Sequence, residues 1–200
     1  LNPSVFTWYE NNGTFYHLNN VNNITIEDYN ITNSTTNTII LSGTCSNITL
    51  KNLNFNGTYN TALTTYEGTN LNNLTLENLN INQPNSNAIL IYRTTINGLN
   101  INNTTINQAK GEAIRFYACT ANNITITNNN ITNNTGGERY AIDILFGVFK
   151  NIQITNNLIK NSDAGIRCYG DSQPHENLII TQNTITNNRG DGILTTGNNG

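Results

Sequence analysis

The sequence predicts an all-β chain wound as a right-handed parallel β-helix, a solenoid of about seven coils with three strands in each. Three observations predict it. A stretch of the form Asn, apolar, Thr, apolar recurs at intervals of 24 to 28 residues. A turn-forming position, mostly Asn, follows each stretch at a constant offset. No segment carries a sustained helical period.

The first apolar residues of the repeats are Ile24, Ile48, Leu74, Leu99, Ile124, Ile152 and Leu178. Two residues on stand Ile26, Leu50, Leu76, Ile101, Ile126, Ile154 and Ile180, and alternation with polar Thr is strand patterning. Asp28, Asn52, Asn78, Asn103, Asn128, Asn156 and Gln182 come next. Asn tolerates left-handed backbone and bonds to nearby main chain, so this column predicts a tight turn. A second column, Asn23, Asn47, Asn73, Gly98, Asn123, Asn151 and Asn177, precedes the anchors. Ile31, Phe55, Ile81, Ile106, Ile131, Ile159 and Ile185 mark a short second strand.

A third strand is expected around Ile39, Leu63, Ile89, Ile114, Ile142, Ile166 and Ile193. Phe15 lies 24 residues before Ile39, so Gly13 to Leu18 reads as an incomplete first coil. Residues 1–20 are thus expected as an N-terminal cap or partial coil, with Phe6, Trp8 and Tyr9 covering it, and 21–200 as the β-helix. The second and third strands argue against a leucine-rich horseshoe, which has one strand per repeat. The chain starts at Leu1 without Met and stops where a further anchor is due. It therefore reads as processed or as a fragment, with the last coil open to a continuation or a partner.

The Asn-Ile-Thr-Ile repeats and the Asn column resemble the right-handed parallel β-helix superfamily, which includes pectate-lyase-like enzymes, viral tailspikes and adhesin-like surface proteins. The resemblance spans nearly the whole chain. It implies that the sheet of third strands forms a substrate cleft.

Composition narrows the function. Only 10% of residues are charged and the net charge is −3, which excludes a basic nucleic-acid surface. No apolar run is long enough for membrane insertion. Asn fills 45 of 200 positions. The Asn-x-Ser/Thr sequons, among them Asn12, Asn33, Asn56 and Asn130, point to an extracellular or cell- or virion-surface location. Cys45, Cys119 and Cys168 lack metal spacing, and Cys168 falls at an inward position, so it is expected as a buried thiol. No phosphate loop, zinc pattern or carboxylate cluster suited to calcium is present, so no cofactor or metal is expected.

The expected site lies on the outward columns of the third strand. One column holds Arg115, Asp143 and Arg167; another holds Tyr66, Tyr92, Tyr117 and Tyr169. Tyrosine offers a flat apolar face and a hydroxyl, which suits sugars, and arginine suits carboxylate-bearing sugars. Of 21 charged residues, 14 lie between Lys110 and Asp191, with Glu112, Glu138, Arg139, Asp163, Asp171 and Asp191 in flanking loops.

The expected partner is therefore a polysaccharide or glycan. If the chain is an enzyme, Asp143 is the candidate acid or base, and Arg115 and Arg167 hold it ionised or neutralise a substrate carboxylate. His175 or Tyr169 handles the second proton. The run Tyr169-Gly170-Asp171-Ser172-Gln173-Pro174-His175 resembles the Tyr-Gly-Phe-Asp-Pro-His segment of mannuronan C5-epimerases, but Ser172 and Gln173 break its spacing. Lyase, epimerase and hydrolase chemistry stay open, as does a non-catalytic role as stalk, fibre or filament subunit with end-to-end self-association. In that role the Arg–Asp–Arg stack only keeps coils in register.

Overall fold

Period-2 alternation becomes strand in every coil. The structure, a computed structural model, describes residues 16–32, 34–56, 59–136, 139–170 and 175–196. Every pairing is parallel, and the strands stack as a β-solenoid of about seven turns, with no helix among the described residues. Each strand bonds to its equivalent in the coils above and below, so three continuous ladders run along the axis.

The anchor ladder joins β2 (Asn22–Thr32), β4 (Thr44–Asn56), β6 (Asn70–Glu77), β9 (Thr95–Asn102), β11 (Ile114–Thr127), β13 (Tyr140–Thr155) and β16 (Glu176–Thr181). The second ladder runs from the ends of β2 and β4 through β7 (Asn80–Asn82), β10 (Thr105–Asn107), β12 (Asn130–Thr132), β14 (Leu158–Lys160) and β17 (Thr184–Thr186). The third joins β1 (Tyr16–Asn19), β3 (Ile39–Ser42), β5 (Leu63–Thr65), β8 (Ile89–Tyr92), the first halves of β11 and β13, β15 (Ala164–Tyr169) and β18 (Ile193–Thr196).

Register follows the sequence columns. Ile39, Leu63, Ile89, Ile114, Ile142, Ile166 and Ile193 are paired in succession. All but Ile193 are at most 1% exposed. The partial first coil is shifted by one residue: Tyr16, not Phe15, pairs with Ile39. Tyr16 and Leu18 are the buried residues of β1, which fixes its inward set. Phe15 and the residues expected to form a cap, Phe6, Trp8 and Tyr9, lie outside the described residues, as do Asn12, Asn33, Glu138 and Asp171.

The turns rest on left-handed backbone. Asp28, Asn52, Asn78, Asn103, Asn128, Asn156 and Gln182 all have φ between 51° and 59°. The column before the anchors does the same, at 52° to 60° for its asparagines and 85° for Gly98. A third such column, Gln83, Gln108, Asn133, Asn161 and Asn187, closes the second strand. Asn is favoured here because its short amide bonds locally in a conformation costly for other side chains. Its amide also reaches the next coil: Asn52 donates to Asp28 at 2.8 Å, Asn78 to Asn52 at 2.7 Å and Asn177 to Asn151 at 2.8 Å.

Asparagine also lines the interior. Five residues after each anchor the early coils place Leu53 and Leu79, but later coils place Thr104, Asn129, Asn157 and Asn183. There the side-chain oxygen of each Asn accepts the backbone N–H of the coil before it. Thr104 donates to Asn129 at 2.9 Å, Asn129 to Asn157 at 3.0 Å and Asn157 to Asn183 at 2.9 Å. Asn157 is 1% exposed, and its amide nitrogen donates to the Ile126 carbonyl at 2.9 Å, so the group is bonded despite burial. The rest of the core is mostly aliphatic with a few aromatics such as Phe55, Phe116 and Phe149, and Cys45, Cys119 and Cys168 sit in it as free buried thiols.

Candidate functional site

The third ladder brings the predicted columns into register. Leu90, Arg115, Asp143, Arg167 and Leu194 form one line, and Tyr92, Tyr117, Leu145, Tyr169 and Thr196 another. Both project from the wall opposite the inward isoleucines, as alternation requires.

Projecting outward does not leave Asp143 open. Its relative exposure is 0%. Arg167 binds it at two points, Nε to Oδ1 at 2.7 Å and Nη2 to Oδ2 at 3.0 Å. Arg115 Nε lies 3.5 Å from Oδ2, outside hydrogen-bond geometry. Burial pushes the Asp143 carboxyl above the usual carboxylate range, while the bond and charge of Arg167 pull it down. Arg115 turns its Nη1 to Glu112 at 3.3 Å, and Arg139 meets the other oxygen of Glu112 at 3.3 Å. The predicted stack is therefore a five-member chain of alternating charge, Arg139–Glu112–Arg115–Asp143–Arg167. Its carboxylates are buried and its guanidiniums form the outer layer.

His175 does not join this chain. It immediately precedes Glu176, which pairs with Lys150, and its ring meets Phe149 edge-on at 5.2 Å between centroids. It occupies the core column Val21, Cys45, Leu71, Ile96, Ala121 and Phe149, three residues before each anchor. Both ring nitrogens are buried and lack a hydrogen bond, and burial lowers the ring's pKa. It is a wall residue, and it does not converge with Asp143 as a proton carrier. Asp171 of the same segment lies outside the described residues.

The tyrosines form a row, with two departures from the expectation, one inside it and one at its start. Tyr92 and Tyr117 stack at 5.7 Å and 12°. Phe146 then stands where Leu145 was expected. Its ring meets Tyr117 at 5.5 Å and Tyr169 at 5.5 Å, both edge to face. Leu145 is buried, and Phe146 takes left-handed backbone at φ 49°. Gly147 follows because a Cβ there would strike the Cys119 carbonyl. Tyr66 leaves the row: half exposed, it meets His17 edge-on at 5.5 Å. Arginines brace the rings, with Arg115 over Tyr117 at 5.2 Å and Arg93 over Tyr92 at 5.4 Å.

One hollow borders the row and a second lies on the other side of Arg167. A shallow one of about 230 Å³ is lined by Asn87, Leu90, Tyr92, Arg115 and Tyr117. A larger one of about 640 Å³ lies beside Arg167, where Tyr140, Asp163, Arg189 and Asp191 meet. Tyr140 lies under the Arg167 guanidinium at 4.6 Å and donates its hydroxyl to Asp191 at 2.9 Å. Burial first, and that bond second, raise the Tyr140 pKa. Tyr140 was not among the expected site residues. Its place two residues before the inward Ile142 marks it as core by alternation, and nothing in the sequence shows that its hydroxyl reaches Asp191.

Among the described residues, this surface offers no unpaired acid or base at its centre. No protein family, curated protein or solved structure matches the chain.

Proposed function

We propose that this chain is a non-catalytic glycan-binding module of an extracellular or cell-surface β-helix protein, with its groove along the third-strand sheet. The observation that carries the reading is the row Tyr92–Tyr117–Phe146–Tyr169, braced by arginines and bordered at Tyr92 and Tyr117 by a shallow hollow. Everywhere else the described surface is dominated by repeating Asn and Thr. Partly exposed aromatic rings beside a hydrogen-bonding hollow suit the apolar faces and hydroxyls of sugars. The repeat's likeness to pectate-lyase-like and adhesin-like β-helices supports the same ligand class.

Catalysis is left out for a physical reason. A general acid or base must reach the proton it moves. Asp143, the one acid in the outward columns, has no exposed surface and is held at two points by Arg167.

A second reading, a structural stalk or fibre, is favoured by the inter-coil ion pairs. Lys51 meets Glu27 at 2.6 Å, Arg93 meets Glu67 at 2.9 Å and Lys150 meets Glu176 at 3.0 Å. Such pairs hold register whether or not a ligand binds.

Titration with a panel of neutral and acidic oligosaccharides, followed by product analysis, separates these readings. Binding that Tyr117→Ala weakens, without new products, is the expected result. Cleavage or epimerisation refutes the non-catalytic part, and absence of any binding leaves the stalk.

A further inference from the structure

The geometry points to the hollow between Tyr140, Arg167 and Asp191 as a binding site for an uncharged sugar residue, recognised through its hydroxyls. This rests on the glycan-binding reading and goes further, in naming a second subsite and the charge class of its ligand.

Charge accounting comes first. Arg167 and Arg189 carry the positive charge at the hollow, and Asp163 and Asp191 the negative. Arg167 is already matched by Asp143 behind it, and Arg189 meets Asp163 at 3.3 Å. A ligand carboxylate placed here would confront Asp191 and Asp163. To recruit Arg167 fully it would have to draw the guanidinium from Asp143, leaving a buried carboxylate without its partner. A ligand ammonium would meet Asp191, but it would also meet Arg167 at the end of the chain Arg139–Glu112–Arg115–Asp143–Arg167, whose one net positive charge Asp191 already offsets. Neither sign of charge is welcomed.

Hydrogen-bonding capacity remains high. A guanidinium has five N–H donors, and Arg167 spends two of them on Asp143. The Asp191 carboxylate accepts one bond from Tyr140 and keeps free lone pairs toward solvent. Planar donors and planar acceptors therefore flank one space without net charge. A sugar hydroxyl donates and accepts at once, so a pair of neighbouring hydroxyls can bridge the two sides. Tyr140 and Ala164, at 8% and 5% exposure, form the floor of the hollow, with a narrow apolar strip for the sugar's C–H groups. The volume, about 640 Å³, falls in the range of small-ligand sites, roughly 300–1,000 Å³.

The experiment is an NMR titration of the intact chain with a neutral oligosaccharide series, a uronate series and an amino-sugar series, each at low and at high salt. The expected result is binding of a neutral sugar with little salt dependence. Asp191→Asn and Tyr140→Phe each weaken it by about tenfold, the loss of one good hydrogen bond. Asp191 is exposed, so Asp191→Asn tests the site without disturbing the core. Tighter binding of uronates, lost at high salt, overturns the inference while leaving a glycan-binding face. So does neutral-sugar binding that Tyr117→Ala abolishes and Asp191→Asn leaves intact. Absence of any sugar binding removes both this inference and the reading beneath it.

Discussion

Arg167 and Asp143 form a two-point ion pair across adjacent coils, at 2.7 Å and 3.0 Å, in which the carboxylate has no exposed surface. Removing the arginine strands that carboxylate. Arg167→Ala is expected to cost about 3 kcal/mol of stability, at the lower end for a broken buried pair. Arg167→Lys restores charge but not the fork, and should fall between the two. Replacing both residues by apolar ones of similar size should cost less than Arg167→Ala alone. Chemical unfolding of the four proteins checks the order, and an Arg167→Ala midpoint equal to wild type would show that the pair holds nothing.

The interior and exterior asparagines should respond differently to the same truncation. Asn157→Ala takes the acceptor from the Asn129 N–H and from one Asn129 amide hydrogen, and a donor from the Ile126 carbonyl, inside the wall. At about 1–3 kcal/mol for each unsatisfied buried group, the loss should reach several kcal/mol. Asn52→Ala keeps its backbone bonds but leaves left-handed backbone without the amide that offsets its cost, about 1–2 kcal/mol. Asn52→Gly should recover most of that. Native-state hydrogen exchange of the neighbouring coils reads both.

How much of this was legible follows from what a column can encode. Spacing alone gave the register from Ile39 to Ile193, because a slip of one residue would turn every inward side chain out. It also gave the left-handed turns, because Asn is the residue that tolerates them. Alternation assigned Asp143 outward, but exposure depends on what lies over a residue, and long arginine side chains from the adjacent coils cover it. His175 was read within a motif-like run. Counting back three from Leu178 would have put it in the column of Cys45 and Leu71, facing the core. Phe146 left no signal, since a bulky residue in left-handed backbone is what propensity argues against.

His175 gives the wall an acid-sensitive point. Burial lowers its pKa in the folded chain below the unfolded value of about 6.5. The unfolded chain therefore binds the proton more readily. The stability linked to His175 is complete above that unfolded value and is lost as pH falls through the folded one. Hydrogen exchange along β16, corrected for intrinsic rate, should rise on mild acidification. In His175→Phe, which keeps the ring contact with Phe149, that rise should vanish; its persistence would assign the effect to another group.

The thiols should be silent until the coils open. Burial pushes Cys168 up to about 12 and Cys119 up to about 11, so neither holds appreciable thiolate at neutral pH. A maleimide or disulfide reagent should modify neither in the folded chain and both in denaturant, as mass spectrometry would report. Rapid labelling of Cys168 under native conditions would mean that β15 opens on its own.

Successive coils of 24 to 28 residues repeat the same turn geometry at the same places, with only the loops absorbing the difference in length. The chain is in that sense made of interchangeable cassettes. Excising one whole period, from Leu74 through Gly98, would bring Asn73 directly before Leu99, a junction of the kind every other coil already uses. A protein built this way can lengthen or shorten by duplication or deletion without redesign of its fold, whereas the charged network around Asp143 spans three coils and admits no such cut.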